Sequence, residues 1–135
     1  MATAYKIGCF ATDDMTGKTA VIITTFGPPG ANTSLCMKRN GVDYAVTAGK
    51  TLHITGLFLN YCSADTILTL LYADDAGAML TNPVTICGLP GGTIATSDAG
   101  KLMLPFYGTV PAGKYLGIHV TANGSVQLTV LGYEA

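Results

Sequence analysis

One nine-residue pattern occurs twice in this chain, as Val46-Thr47-Ala48-Gly49-Lys50-Thr51-Leu52-His53-Ile54 and as Val110-Pro111-Ala112-Gly113-Lys114-Tyr115-Leu116-Gly117-Ile118, with identical residues at identical spacing. In each copy Ala-Gly-Lys reads as a polar turn. The residues after it alternate apolar and non-apolar (Leu52 and Ile54; Leu116, Ile118 and Val120), the period-2 signature of a strand with one buried face. A weaker echo, Asp98-Ala99-Gly100-Lys101-Leu102-Met103-Leu104, keeps the turn and the alternation but lacks the preceding valine. The two full copies begin 64 residues apart in a chain of 135. Arrays of small units repeat at roughly 20–50 residues, so this offset points to two related halves of one sandwich.

The rest of the chain follows the same idiom. Thr19–Phe26 is rich in β-branched residues and stops at Gly27-Pro28-Pro29-Gly30, which cannot continue a ladder. Ser34–Lys38 and Val42–Val46 flank Asn40-Gly41, a pair suited to the positive φ angles of a type I′ turn, and predict a hairpin. Leu52–Asn60 and Thr66–Ala73 read as central strands, and Asp74-Asp75-Ala76-Gly77 turns the chain. Leu80–Ser97, with Asn82-Pro83 and Leu89-Pro90-Gly91-Gly92, reads as short strands and a long loop. Lys101–Tyr107, Tyr115–Ala122 and Ser125–Tyr133 complete the set, the last two joined as a second hairpin through Asn123-Gly124. No segment has a helical period. The expected fold is all-β: an antiparallel β-sandwich over residues 19–135, jelly-roll-like, with eight or nine strands. Residues 1–18 lack the turn-strand recipe and read as an N-terminal arm or edge segment.

Composition narrows the function. Charged residues make up 11% of the chain, against about 25% in typical soluble domains, while 49% are hydrophobic and mean hydropathy is +0.42. The apolar runs stop far short of the ~20 residues that cross a bilayer, so no membrane span is expected. A low-charge surface is better explained by cover from other protein, which predicts a permanent homo-oligomeric assembly. Net charge is -1 and the basic residues are scattered, so no stripe is available for a phosphate backbone and no nucleic-acid partner is expected. No secretory signal pattern opens the chain, and a cytosolic origin predicts that Cys9, Cys36, Cys62 and Cys87 are free thiols. None of them forms a C-x-x-C pair and neither histidine stands at ligand spacing, so neither a metal nor a cofactor is expected.

Nor does a catalytic constellation emerge, and the expectation is a non-enzyme with no catalytic residues. His53 and His119 occupy the outward phase of their strands, away from any sequence-marked nucleophile. Asp13-Asp14 and Asp74-Asp75 lack the glycine and terminal glutamate of an EF-hand and read as solvated turn carboxylates. The candidate functional residues are therefore interface residues: Tyr5, Ile7 and Phe10 in the N-terminal segment, with His53 and His119 on the strands.

The strand start Pro111-Ala112-Gly113-Lys114-Tyr115-Leu116, the threonine-rich strands and the closing Val130-Leu131-Gly132-Tyr133-Glu134 resemble small β-sandwich virion proteins of tailed bacteriophages, of the head decoration (cement) or fibre type. The resemblance covers roughly residues 46–135. It implies a structural protein that binds the outside of a phage head and stabilises it, a trimer whose partners are the major capsid protein and neighbouring copies of itself. Its location would be the virion, after assembly in the host cytoplasm. The alternative from another class is a tail-fibre or lectin-like receptor-binding module holding a glycan on Tyr61, Tyr72, Tyr107 and Tyr115.

Overall fold

The structure, a computed structural model, describes residues 5–7, 10–12, 16–27, 33–62, 67–77, 79, 81–90, 102–121 and 126–135. Twelve strands run through them: β1 (Tyr5–Ile7), β2 (Phe10–Thr12), β3 (Thr19–Gly27), β4 (Thr33–Cys36), β5 (Lys38–Arg39), β6 (Val42–Asp43), β7 (Leu52–Cys62), β8 (Ile67–Ala73), β9 (Val84–Pro90), β10 (Leu102–Val110), β11 (Tyr115–Val120) and β12 (Val126–Glu134). A six-stranded sheet has the order β10-β7-β12-β3-β5-β6 and a four-stranded sheet the order β4-β11-β8-β9, with every pairing antiparallel. No helix occurs among the described residues. β1 and β2 pair with each other as a separate two-stranded ladder, Ile7 opposite Phe10.

Ten strands thus form the sandwich, one more than the upper expectation, because the Asn40-Gly41 turn sits between two very short strands, β5 and β6. Without that pair, eight strands remain. Numbered along the chain, they lie in the orders first-eighth-third-sixth and second-seventh-fourth-fifth, the arrangement of two Greek keys in a jelly roll. Advancing every strand by four places converts one sheet into the other. The two copies of the sequence repeat lead into β7 and β11, the third and seventh strands, and so occupy equivalent places in the two halves.

The copies are alike in conformation too. Gly49 and Gly113 both have φ 76, a left-handed value that glycine adopts without the Cβ penalty. Lys50 N–H donates to Thr47 O at 3.0 Å and Lys114 N–H to Pro111 O at 3.3 Å, closing both turns. The turns also bond each other: Val46 N–H donates to Lys114 O at 3.0 Å and Gly113 N–H to Val46 O at 2.9 Å. Val46, Val110, Leu52, Ile54, Leu116 and Ile118 all enter one core with Ile23, Met37, Leu57, Leu70 and Leu128. Each such side chain stabilises the fold by roughly 1.5–3 kcal/mol relative to exposure.

Three expectations are corrected. β11 and β12 do not form a hairpin: β11 pairs with β4 and β8, whereas β12 pairs with β3 and β7 in the other sheet. An Asn-Gly pair signals a turn, but an arch across the two layers and a hairpin within one sheet present the same alternation. Ser34–Lys38 is likewise not one strand. It crosses between sheets at Met37, which is fully buried, donates its N–H to Leu116 O at 2.8 Å and accepts from Tyr44 N–H at 2.9 Å. Within the expected loose region, Val84–Pro90 forms a full strand along β8, with an irregularity opposite Leu70 and Leu71. The Asn40-Gly41 hairpin is present, with φ 52 and 78. The turn of the weaker echo, Asp98-Ala99-Gly100-Lys101, lies outside the described residues.

Candidate functional site

Two sheets packed through their inner faces leave two outer faces. The alternation in β7 and β11 puts His53 on the outside of the six-stranded sheet and His119 on the outside of the four-stranded sheet, both half-buried, so the two histidines are not brought together. Tyr5, Ile7 and Phe10 belong to the β1–β2 ladder, and their side chains lie outside the described set.

On the six-stranded sheet an aromatic row crosses three strands and ends at a lysine. The rings of His53 (β7) and Tyr133 (β12) stack at 4.8 Å and 14°. The Tyr107 hydroxyl (β10) lies 3.3 Å from His53 Nδ1, and Lys18 Nζ, just before β3, sits 4.9 Å from the Tyr133 ring centre. Such a cation over an exposed ring adds about 0.5–1 kcal/mol. Beside this row Leu131 registers with Ile22. Ile22 is 59% exposed and Tyr107 69%. The other outward positions described on β3, β7, β10 and β12 are mainly threonines (Thr24, Thr55, Thr109, Thr129) and carry no charge. Across β3, β7, β10 and β12 this is a charge-poor and partly apolar surface, with Lys18 at one end of the row and the exposed Lys38–Asp43 pair on β5 and β6 beside Thr24.

A different construction covers the four-stranded sheet. Register places Ser34, His119 and Thr69 side by side on β4, β11 and β8, with Ser34 Oγ 3.0 Å from His119 Nδ1. Among the described residues no carboxylate is hydrogen-bonded to His119. In the next row, Gly117 and Leu71 lie under the segment 74–83, which seats Met79, fully buried at φ 57, in a small cluster with Leu71, Ala73, Cys36 and Tyr115. A Cβ at position 117 would come within 2.5 Å of Met79 Cε and 2.6 Å of Leu35 O, so the seat exists because residue 117 is glycine.

The carboxylates expected as solvated turn groups hold this segment in place. Asp74 accepts from the Lys114 ammonium and, at 2.7 Å, from Asn82 Nδ2, while Asp75 accepts from Thr81 N–H at 2.9 Å. The Lys114 and Asn82 hydrogen bonds hold the Asp74 carboxyl below the ordinary aspartate range, and the Thr81 amide does the same for Asp75. Beside Met79 a groove of about 300 Å³ remains open, lined by Ser34, Thr69, Leu71, Met79, Pro83, Thr85 and His119.

A residue that the sequence reading passed over closes one end of the sandwich. Glu134 is 5% exposed, accepting from Tyr44 Oη–H at 2.7 Å and from Thr47 N–H at 3.1 Å. Burial alone raises its carboxyl, but those two donors outweigh it and hold Glu134 below the ordinary glutamate range. Burial, then the bond to Glu134, push the Tyr44 hydroxyl far above the usual tyrosine value. The signal was present in the alternation, since Glu134 is in phase with inward Val126, Leu128, Val130 and Gly132.

Cys36 and Cys87 are free thiols; burial, then Asp43, raise Cys36 to about 11, and burial raises Cys87. The Cys9 and Cys62 side chains lie outside the described set. No group of three or more potential metal-binding side chains occurs among the described residues. The tyrosines considered for glycan stacking are separated: Tyr72 packs on the main core, Tyr115 on the Met79 cluster, and Tyr107 is exposed on the opposite sheet. The Tyr61 side chain is outside the described set.

No family model matches the chain, and no curated protein matches it. Among solved structures, it is similar to the nucleoplasmin-like N-terminal domain of Drosophila FKBP39, at 12% identity and a TM-score of 0.36, covering 84% of this chain and 88% of that one.

Proposed function

We propose that this protein is a structural component of a larger assembly, a capsid decoration protein that docks through the outer face of its six-stranded sheet. The observation that carries the reading is the exposure of Ile22 and Tyr107 on a face where the described outward residues of β3, β7, β10 and β12 bear no charge, the charges of Lys18 and of the Lys38–Asp43 pair lying beside them. Surfaces that are depleted of charge and enriched in aromatic groups suit burial against other protein. The low overall charge and the resemblance to phage virion proteins support the same reading. Copies of the chain and a capsid shell are the partners, the copies forming a trimer. Binding only to the assembled lattice would stabilise the closed shell by mass action.

The test places a charge where contact is proposed. Sedimentation at micromolar concentration should show the wild type as a trimer and Ile22→Lys as a monomer. Electron microscopy of purified phage heads incubated with the protein should show wild-type density at fixed stoichiometry on the shell and none for the variant. A wild type that stays monomeric and leaves heads bare removes the proposal.

A further inference from the structure

We propose that the groove beside His119 on the four-stranded face binds an uncharged, hydroxyl-rich ligand of about one sugar ring. This goes beyond the docking role and uses the opposite side of the sandwich. Part of the groove lining is polar. Ser34 occupies Nδ1 of His119 and fixes the ring, so Nε2 is the nitrogen left for a ligand, and the hydroxyls of Thr69 and Thr85 have no side-chain partner among the described residues. The remaining lining is apolar: exposed Pro83, with the buried Leu71 and Met79. A pyranose has the matching character, with hydroxyls around its rim and C–H groups on its face.

Charge and size then restrict the class. Among the described residues no acid, lysine or arginine lines the groove, so an anionic ligand would shed its hydration without gaining a lysine or arginine partner there. Its volume of about 300 Å³ falls at the small end of ligand sites, which span roughly 300–1,000 Å³, and suits one ring rather than a chain. The wall is also held before any ligand arrives. Gly117 makes room for Met79, and Asp74 and Asp75 fix the segment that carries it.

Amide correlation spectra of the isotope-labelled full chain, titrated with methyl β-galactoside, methyl α-glucoside and N-acetylglucosamine, test the proposal. At least one neutral sugar should give saturable shifts centred on Ser34, Thr69, Leu71, Thr85 and His119, and N-acetylneuraminic acid should give none. Thr69→Val, which keeps shape and loses the hydroxyl, should weaken binding about tenfold, the scale of one lost hydrogen bond; His119→Ala should do the same. The dispersion of each variant's own spectrum shows that the fold survives. The site is refuted if no neutral sugar saturates, if the shifts fall on His53, Tyr107 and Tyr133 instead, or if both variants bind as the wild type does.

Discussion

On the four-stranded sheet the segment between β8 and β9 folds back and buries Met79 over Gly117, while on the six-stranded sheet Ile22 and Tyr107 stand out in solvent. Both faces are built from outward positions of amphipathic strands. What separates them is a connection long enough to return, two aspartates to hold it, and a glycine to receive its methionine. Substitutions on the covered face should therefore register in folding, and those on the open face in association.

The largest effect is expected at Met79. Met79→Ala removes a fully buried side chain and should lower unfolding free energy by about 3 kcal/mol, within the range for buried methionines. Gly117→Ala should cost about 2 kcal/mol by overpacking. In urea denaturation the double variant should lose less than the sum of the two, because a shortened residue 79 gives the new methyl group space, although Leu35 O still crowds it. Full additivity would mean that the methionine does not rest on the glycine.

Acid should loosen the covered face before the open one. Asp74 and Asp75 have folded values below the unfolded one. Their contribution is therefore complete above the ordinary aspartate value of about 3.9 and is lost as pH falls through the lowered values. Glu134 acts in the same direction on the whole domain, so the discriminating probe is local. Protection factors of the Thr81 and Asp74 amides, referred to the intrinsic exchange rate at each pH, should fall below about pH 4 while the amides pairing β12 with β3 stay protected. Asp74→Asn should show the faster exchange at neutral pH, and equal loss on both faces would sink the distinction.

The smallest effect on folding is expected from Ile22→Lys. A substitution at a 59% exposed outward position should change stability by no more than about 0.5 kcal/mol, even as it disrupts association. A loss above about 2 kcal/mol would place Ile22 in a folding contact rather than an open face, since changes of that size come from buried mechanisms.

Sequence alone determined which side chains point inward and where the chain turns. Period-2 alternation marked Leu52, Ile54, Leu116 and Ile118 for the core, and Ala-Gly-Lys and Asn-Gly marked the turns at Gly49, Gly113 and Gly41, which take positive φ. These features are local, fixed by neighbours within a few residues. Sheet membership was not, because a strand with one apolar face serves equally in a hairpin or in an arch, and partners remote in sequence decide between them. Thus β11 lies against β4 and β8 and β12 against β3 and β7, despite the Asn-Gly between them. The covered face was equally out of reach: Met79 lies in an irregular segment with no period, and its burial depends on a glycine in β11. Tertiary structure decided the pairing of Ser34 with His119 and the separation of His119 from His53, since only the stacking of strands brings residues distant in the chain into one row.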